Sequence, residues 1–299
     1  MKRIDTLLCA LLFFALSVMG NAQTLSLPKS VRDWMKSPGL EHATVTLEVR
    51  KGPRVLYSLD PERMVIPASV MKLVTAATAW RTLGQDYVWP DSVGLVDETA
   101  PVHLPGLEHY NPDWLVEDVG EYVEPLENLL PDSGQVLSRV VKRTLNESLN
   151  LQAETMLHLL TPSCRLDSGL QVVQRYWAEQ GLDMTSLKMY DGNGVSPSDR
   201  VTAHFICSLL AEMQTDQAFR QTLPLIGKEG TLRRFLKGSR LEGWGRMKSG
   251  SLKSVVSYAG YITGSDGRTY IVSIFVNNFT KPNKEVRKDI EKVLLSLIP

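Results

Sequence analysis

The 299-residue chain balances 33 Lys and Arg residues against 33 Asp and Glu residues, so its formal net charge is zero. This balance argues against a nucleic-acid-binding protein, which would carry a basic excess. The five His and three Cys residues are scattered without ligand spacing, so the sequence predicts neither a metal site nor a cofactor.

Residues 1–22 have the pattern of a secretory signal peptide. Two basic residues precede a short apolar run from Leu7 to Met19, and Gly20-Asn21-Ala22 supplies a small-x-small cleavage site. The run is shorter than the roughly 20 apolar residues that a membrane-spanning helix needs. The sequence therefore predicts an exported, periplasmic protein whose mature part is residues 23–299, with no membrane span after cleavage. An uncleaved anchor is the alternative.

The first elements after the signal peptide are a hairpin and a helix. Residues 43–50 and 54–59 alternate in polarity and are rich in β-forming residues, which predicts two antiparallel strands. A helix is predicted from Ser69 to about Leu83, where Gly84 ends it. Residues 85–134 contain six prolines and most of the acidic excess, and we expect an irregular insert or covering loop there.

Helices are predicted for the middle of the chain and strands for its end. The helical patterns cover 135–160 with a break near 146–150, then 168–180, 202–214 and 231–237. The later strands are expected at about 245–252, 256–263 and 269–277, followed by a last helix at 283–297. Joining the early hairpin to the three late strands gives a five-stranded antiparallel sheet with flanking helices, an α+β fold.

Three short motifs contain the residue types that serine acyl transfer requires. In Ser69-Val70-Met71-Lys72 the lysine lies one helical turn from the serine hydroxyl, so its amine can take the hydroxyl proton. Ser148-Leu149-Asn150 is the only Ser-x-Asn in the chain, and Lys248-Ser249-Gly250 is the only Lys-[Ser/Thr]-Gly. Ser26-Leu27-Pro28-Lys29 is a second Ser-x-x-Lys, but it lies beside the cleavage site and before any predicted element.

The three motifs and the stretches around them resemble one protein family. Ser-x-x-Lys, Ser-Asp-Asn and Lys-Thr-Gly are typical of penicillin-binding proteins and class A β-lactamases. The closer resemblance is to the DacB-type D-alanyl-D-alanine carboxypeptidases/endopeptidases, the class C low-molecular-mass penicillin-binding proteins. It covers roughly 43–93 and 125–279. The stretches that carry it are 67–76, 83–87, 146–154, 191–196, 229–234, and 248–252 with 259–261.

The resemblance implies a β-lactamase/transpeptidase-like fold with a helical subdomain, and one catalytic domain spanning 23–299. Members of this family usually carry two inserted domains between the first and second motifs, whereas only 75 residues separate Lys72 from Ser148 here. The resemblance therefore implies that residues 85–134 are a reduced insert. Leu149 stands where family members usually have a polar residue, at a position that is not itself catalytic.

The resemblance also assigns roles to the motif residues. Ser69 is the expected nucleophile, Lys72 its base, and Ser148 a proton relay to the leaving amine. The backbone N–H groups of Ser69 and Ser251 would hold the oxyanion. The expected substrate-binding residues are Asn150, Lys248, Ser249, Gly250 and Ser251.

Lys72 can act as a base only when its amine is neutral. Keeping a lysine neutral at pH 7 against a reference pKa near 10.4 costs about 4.6 kcal/mol. Burial and a second cation both lower that cost. We therefore expect Lys72 to be partly desolvated and Lys248 to lie close to it.

The expected function is that of a serine D-Ala-D-Ala carboxypeptidase. Whether it also cleaves cross-links as an endopeptidase is left open by the sequence. Its expected partners are peptidoglycan stem peptides ending in D-Ala-D-Ala, and β-lactams that acylate Ser69. The alternatives are a β-lactamase-like hydrolase and a non-catalytic penicillin- or muropeptide-binding module. The segment Glu124-Pro125-Leu126-Glu127-Asn128 is similar to a class A deacylation loop, but it precedes the Ser-x-Asn motif instead of following it.

The loop from Asp191 to Pro197 and the two cysteines of the mature chain are open to more than one interpretation. The loop is typical of a tight turn, and a structural role is favoured over a catalytic one. Cys164 and Cys207 either form a disulfide or remain free thiols.

Overall fold

The structure, a computed structural model, describes residues 25–89 and 134–299. The predicted signal peptide, 1–22, lies outside the described residues, as does most of the predicted insert. Within the described part, no helix has both the length and the apolar character that a membrane crossing requires.

Five strands form one antiparallel sheet in the order β2-β1-β7-β6-β5. The early hairpin therefore joins the late strands through the β1–β7 pair, in which Val49 lies opposite Val272. A two-stranded ribbon, β3–β4, stands apart from this sheet. The strands are β1 (Thr44–Lys51), β2 (Arg54–Leu59), β3 (Leu187–Lys188), β4 (Arg200–Val201), β5 (Gly245–Leu252), β6 (Val255–Thr263) and β7 (Thr269–Asn277). The prediction of a five-stranded antiparallel sheet in an α+β fold is confirmed.

Eight α-helices lie in the described residues, and they include two short ones, α1 and α7, that the sequence did not predict. The predicted break near 146–150 is present, because α3 ends at Glu147 and α4 begins at Asn150. The helices are α1 (Lys29–Trp34), α2 (Met71–Thr82), α3 (Leu137–Glu147), α4 (Asn150–Leu159), α5 (Leu166–Glu179), α6 (Ala203–Glu212), α7 (Gln217–Arg220) and α8 (Asn283–Leu297).

The predicted helix at 231–237 is wrong. The structure has a 3-10 turn, Gly230–Leu232, followed by further turns. Leu236 has a φ of 56°, a left-handed conformation that interrupts any right-handed helix. Its backbone N–H donates instead to Glu291 Oε1 of α8 at 3.0 Å. A tertiary contact therefore overrides the local helical pattern.

Two apolar cores lie on the two sides of the sheet. One core packs α1 and α8 against it, and the other is built around α2 and the remaining helices. Every residue of α2 from Met71 to Trp80 is buried, so this helix is enclosed on all sides. The start of α2 is consequently held rigidly at the boundary between the helices and the sheet, and this start is where the first motif lies.

Candidate active site

Ser69 lies in the 3-10 turn Ala68–Val70, which leads directly into α2. Its side chain is partly exposed, whereas the flanking residues Ala68 and Val70 are buried. Ala68 has a φ of 48°, in the left-handed region that residues with a side chain rarely adopt. Such strain persists only where the surroundings hold the backbone in place.

The sheet supplies that hold through the two residues before the turn. Ser257 Oγ donates to the carbonyl oxygen of Pro67 at 2.7 Å. The side-chain amide of Asn277 brackets Ile66, accepting from its N–H at 2.8 Å and donating to its carbonyl oxygen at 3.2 Å. Side chains of β6 and β7 therefore fix the path of the chain into Ser69.

Gly250 allows β5 to pass directly beside the Ser69 turn. A Cβ atom at this position would lie 2.8 Å from the carbonyl oxygen of Pro67 and 3.0 Å from the Ser69 nitrogen, and it would also collide with Ser257 Oγ. Any side chain there would push the strand and the turn apart. The glycine of the third motif is thus explained by close backbone approach.

Lys72 is fully buried and contacts three uncharged oxygen-bearing groups. Its Nζ lies 2.9 Å from Ser69 Oγ, 2.7 Å from Asn150 Oδ1 and 2.6 Å from the carbonyl oxygen of Asn193. A neutral amine has two N–H groups, which the Asn150 and Asn193 oxygens can accept. Its lone pair then faces the Ser69 hydroxyl, the arrangement that a general base requires.

Burial is the largest influence on Lys72 and lowers its pKa to about 7. The carboxyl groups of Asp191, Glu154 and Asp199 act in the opposite direction. The expectation of a desolvated Lys72 therefore agrees with the structure. Burial is therefore the main cause of the Lys72 shift, and the charge coupling between the two lysines is seen in the lowered pKa of Lys248.

Lys248 is also fully buried, and its pKa lies well below the ordinary value, first because of burial and then because of the charge of Lys72. The two lysines are therefore electrostatically coupled, as expected. Its Nζ donates to Ser148 Oγ at 2.9 Å and to the carbonyl oxygen of Ser249 at 2.7 Å. Because both lysines are buried and repel each other, the structure favours at least one of the two being neutral.

Ser148 follows α3 with a φ of 63° and a ψ of 38°, a left-handed conformation that turns its hydroxyl toward β5. Its hydroxyl contacts Lys248, whereas Asn150 contacts Lys72. The second motif thus reaches both lysines, with one residue for each. A relay from Lys72 through Ser148 would require the Ser148 hydroxyl to change partner.

The two serines of the third motif differ in what their side chains contact. Ser249 Oγ donates to Thr231 Oγ1 at 2.8 Å, a neighbour that the sequence did not indicate as part of a site. Ser251 Oγ accepts from Asn283 Nδ2 at 3.0 Å and so faces the start of α8.

In the described part of the chain, the backbone N–H of Ser251 lies at the outer edge of the sheet, beyond the stretch of β5 that contacts residues 224–226. Strand β5 is the edge strand, and the N–H of Met247 donates outward, to Pro224. Backbone groups alternate along a strand, which directs the Ser251 N–H outward as well. This N–H is therefore available beside the Ser69 turn.

The loop from Asp191 to Ser196, for which a structural role was favoured, packs directly against the Ser69 turn and Lys72. Asp191 accepts backbone N–H groups of Asn193, Gly194 and Ser196 and thereby shapes the loop. Gly194 has a φ of 82°, and a side chain there would meet the carbonyl oxygen of Ala68. The Asn193 carbonyl is presented to Lys72 as a result.

Glu154, on α4, is a second residue that sequence reasoning did not place in the site. Its Oε2 accepts from the Gly192 N–H at 2.8 Å and from Asn193 Nδ2 at 3.1 Å. Burial, then the charge of Asp191, raises the pKa of Glu154 to about 8, and the same two causes raise that of Asp199 to about 9. The available signal was the spacing of four residues from Asn150, which places both side chains on one helix face.

Three surface clefts of the described chain lie away from these groups. One is beside Trp34 and Lys281, one beside Trp244 and one beside Trp80. None is lined by a residue of the three motifs. Cys164 and Cys207 are both free thiols, so the disulfide alternative is excluded. In the described part of the chain, no group of three acidic, His or Cys side chains is arranged to hold a metal ion.

Comparison with known proteins gives a family match over most of the chain. A family model described as D-Ala-D-Ala carboxypeptidase 3 (S13) matches residues 27–97 and 118–297. A D-alanyl-D-alanine carboxypeptidase from Actinomadura sp. (strain R39) is 30% identical over 120 residues, which cover 38% of this chain and 22% of that protein. The chain spans a third or less of the length of the curated relatives that it matches.

Solved structures with a similar fold come from two classes of protein. Penicillin binding protein 4 (dacB) from Haemophilus influenzae, complexed with a β-lactam, has a TM-score of 0.70 and 15% identity. The match covers 91% of this chain and 100% of that one. A class A β-lactamase from Bacteroides cellulosilyticus has a TM-score of 0.60 and 14% identity, covering 90% and 95%. At these identities the likeness shows the fold, which is transpeptidase-like as predicted.

Proposed function

The chain belongs to the D-Ala-D-Ala carboxypeptidase 3 (S13) family, and on this premise we propose that it is a serine D-Ala-D-Ala carboxypeptidase that cleaves peptidoglycan stem peptides through an acyl-enzyme on Ser69. The observation that carries the proposal is the 2.9 Å contact between Ser69 Oγ and Nζ of the buried Lys72. With a pKa of about 7, this lysine is available as a base at neutral pH.

Acylation begins with proton transfer from Ser69 Oγ to neutral Lys72. The Ser69 oxygen attacks the carbonyl carbon of the D-Ala–D-Ala bond, and the negative charge that develops on the carbonyl oxygen is held by the N–H groups of Ser69 and Ser251. Such donors are fixed by the backbone and need no reorganisation during the reaction. The proton is then delivered to the departing D-alanine amine by way of Ser148, whose hydroxyl first exchanges its contact with Lys248 for one with Lys72.

Lys248 is suited to bind the terminal carboxylate of the substrate. Two of its N–H groups are directed at Ser148 and Ser249, which leaves one donor of the ammonium form for the substrate. A carboxylate beside Lys248 favours its charged form, so substrate binding itself supplies the cation. The hydroxyls of Ser249 and Thr231, which contact each other at 2.8 Å, are further candidate partners for that carboxylate.

Asn150 holds the substrate backbone in this proposal. Its Oδ1 accepts from Lys72 at 2.7 Å, and its Nδ2 can donate to a carbonyl oxygen of the stem peptide. Water then hydrolyses the acyl-enzyme. A β-lactam presents a strained amide to the same groups and acylates Ser69 in the same way. A periplasmic location follows from the predicted signal peptide.

A β-lactamase-like hydrolase is the second candidate, because class A enzymes share this fold. The similar segment, 124–128, lies outside the described residues and precedes the Ser-x-Asn motif in the chain. The family match and the carboxypeptidase among the relatives support the first candidate. Slow turnover of β-lactams is therefore expected.

The proposal is tested with a fluorescent penicillin and a muropeptide that ends in D-Ala-D-Ala. Wild type is expected to be labelled and to release D-alanine, and Ser69→Ala to do neither. Ser265→Ala, at an exposed turn, is the matched control and should behave as wild type. Labelling without D-alanine release would favour a binding module, and rapid loss of the label would favour a β-lactamase.

A further inference from the structure

A chain of hydrogen bonds connects Glu154 to the amine of Lys72. Glu154 Oε2 accepts from Gly192 and Asn193, and the Asn193 carbonyl oxygen accepts from Lys72 Nζ at 2.6 Å. Thr75, one turn further along α2, donates to the Gly192 carbonyl oxygen at 2.6 Å. The loop segment 192–193 is therefore clamped between α2 and α4, and Glu154 forms the α4 side of the clamp.

The other oxygen of Glu154 has no hydrogen-bond donor. Glu154 Oε1 is buried. The other titratable side chain of α4 is His158, and its Nε2 lies 3.9 Å from this oxygen. That ring nitrogen is itself buried without a partner, while His158 Nδ1 lies 2.7 Å from the carbonyl oxygen of Cys164. In a neutral imidazole, the ring nitrogen that faces a carbonyl carries the single proton, and Nε2 is then an acceptor. Glu154 Oε1 therefore faces an acceptor and not a donor.

This geometry favours an uncharged Glu154. A buried carboxylate oxygen without a donor would retain the full cost of losing its water, whereas an uncharged carboxylic acid loses much less on burial. Asp191 differs from Glu154 in this respect, because both of its oxygens accept backbone N–H groups. The groups that face Glu154 are Lys72 from α2, His158 from α4, and Asp191 with Asp199 from the loop before β4.

We propose that Glu154 is a positioning residue that keeps Lys72 available as a base. Glu154 holds the Asn193 carbonyl against Lys72 Nζ. Because Glu154 remains an uncharged acid, it adds no negative charge that would stabilise the ammonium form of Lys72. The inference rests on the proposed function only in taking Lys72 as the base that deprotonates Ser69. The raised pKa of Glu154, about 8, agrees with it.

Two substitutions separate position from charge. Glu154→Gln keeps the shape and an oxygen for Gly192 and Asn193, and it is permanently uncharged. Glu154→Ala removes the acceptor and opens a space through which water can reach Lys72. Glu179→Gln, at the exposed end of α5, is the matched control.

The direct readout is the titration of Lys72 in full-length protein, followed by NMR of ¹³Cε-labelled lysine and assigned with Lys72→Arg. In Glu154→Gln the midpoint is expected to stay within about half a pH unit of wild type, and penicillin acylation within about threefold. In Glu154→Ala the midpoint should rise by about one unit as Lys72 regains water, and acylation should fall at least about tenfold. A protonated carboxylic-acid band should disappear from the infrared spectrum in Glu154→Gln.

Three results would overturn the inference. A drop of a full unit in the Lys72 midpoint of Glu154→Gln would show that Glu154 is charged in the resting protein. An unchanged infrared band would show the same. An unchanged midpoint and acylation rate in folded Glu154→Ala would show that Glu154 positions nothing. If the Lys72 titrations follow expectation but wild type neither binds penicillin nor releases D-alanine, the proposed function fails and the inference stands.

Discussion

Two buried ionisable clusters among the described residues are built in opposite ways. In the first, Glu48 on β1 accepts hydrogen bonds from Arg50 and from His204 Nδ1. Burial works to raise the pKa of Glu48, but the His204 hydrogen bond and the Arg50 charge outweigh it and lower the pKa. Arg50 is tied further to Ser208 Oγ at 3.0 Å. Each charge in this cluster has an opposite charge in contact.

The second cluster surrounds Lys72 and contains no direct ion pair to it. The lysine touches only uncharged oxygen atoms, while Glu154 and Asp199 stand behind the loop that it contacts. The pKa of Lys72 falls to about 7, and the pKa values of Glu154 and Asp199 rise to about 8 and 9. Acid and base are thereby shifted toward the same pH range.

The contrast shows how one fold can use buried charge for two purposes. Contact between opposite charges keeps both groups ionised, which stabilises a structure but leaves no base. Where a buried group has no opposite charge in contact, its pKa can shift toward 7. A group that changes its protonation state near pH 7 can serve as a general acid or base. The following substitutions should therefore affect stability at the first cluster and chemistry at the second.

The largest effect is expected from Lys72→Met, which removes the base but keeps an apolar stem of similar length. Acylation by fluorescent penicillin should fall by about 10³-fold or more, within the range that a general base contributes. Lys237→Met, on the exposed surface, is the control and should react like wild type. A folded Lys72→Met protein that is acylated at the normal rate would end the assignment of Lys72 as base.

The first cluster should respond in stability. Glu48→Ala leaves Arg50 in a largely buried site without its carboxylate, and breaking a buried pair in this way costs about 3 kcal/mol or more of unfolding free energy. Chemical denaturation measures the loss, and the acylation rate of the folded protein should be unchanged. The control is Glu62→Ala, which removes a 63% exposed partner of the same histidine and should cost little. Equal losses in the two variants would contradict this account.

Gly250→Ala tests how tightly the second cluster depends on the sheet. The added Cβ meets backbone atoms of Pro67 and Ser69, so either the turn or β5 must move. Misplacement by about 1 Å is enough to lower a rate about 10²-fold, and acylation should fall by that order in a protein that still folds cooperatively. An unchanged rate would show that the approach of β5 to Ser69 has no role in the chemistry.

The smallest effect concerns pH. The Glu48 hydrogen bond raises the pKa of His204 above its ordinary 6.5. The resulting stabilisation is fully present below pH 6.5 and is lost as the pH rises through the raised pKa of the folded protein. Because His204 is partly exposed, we expect less than about 1 kcal/mol. The difference in unfolding free energy between wild type and His204→Gln should shrink over this range, and a difference that grows with pH would contradict the assignment.

The sequence indicated the proposed nucleophile, the two lysines and the sheet that joins them, because each depends on a short motif or on strand alternation. Glu154 and Thr231 were not indicated as site residues, since their roles depend on contacts between segments far apart in the chain. The loop at 191–196 was visible as a turn, but nothing local shows that its Asn193 carbonyl ends on Lys72. Leu236 shows the same limit for secondary structure, because its contact with Glu291 decides its conformation.

The central claim is that Lys72, beside Ser69, loses its proton with a midpoint near pH 7 in the free protein. The most direct test is the rate of Ser69 acylation by a fluorescent penicillin between pH 5 and pH 9, with the adduct located by mass spectrometry. The account predicts a rate that rises about tenfold per pH unit in the acid range, through a midpoint near 7, and then levels off. A rate independent of pH across this range, or an adduct at any residue other than Ser69, would contradict it.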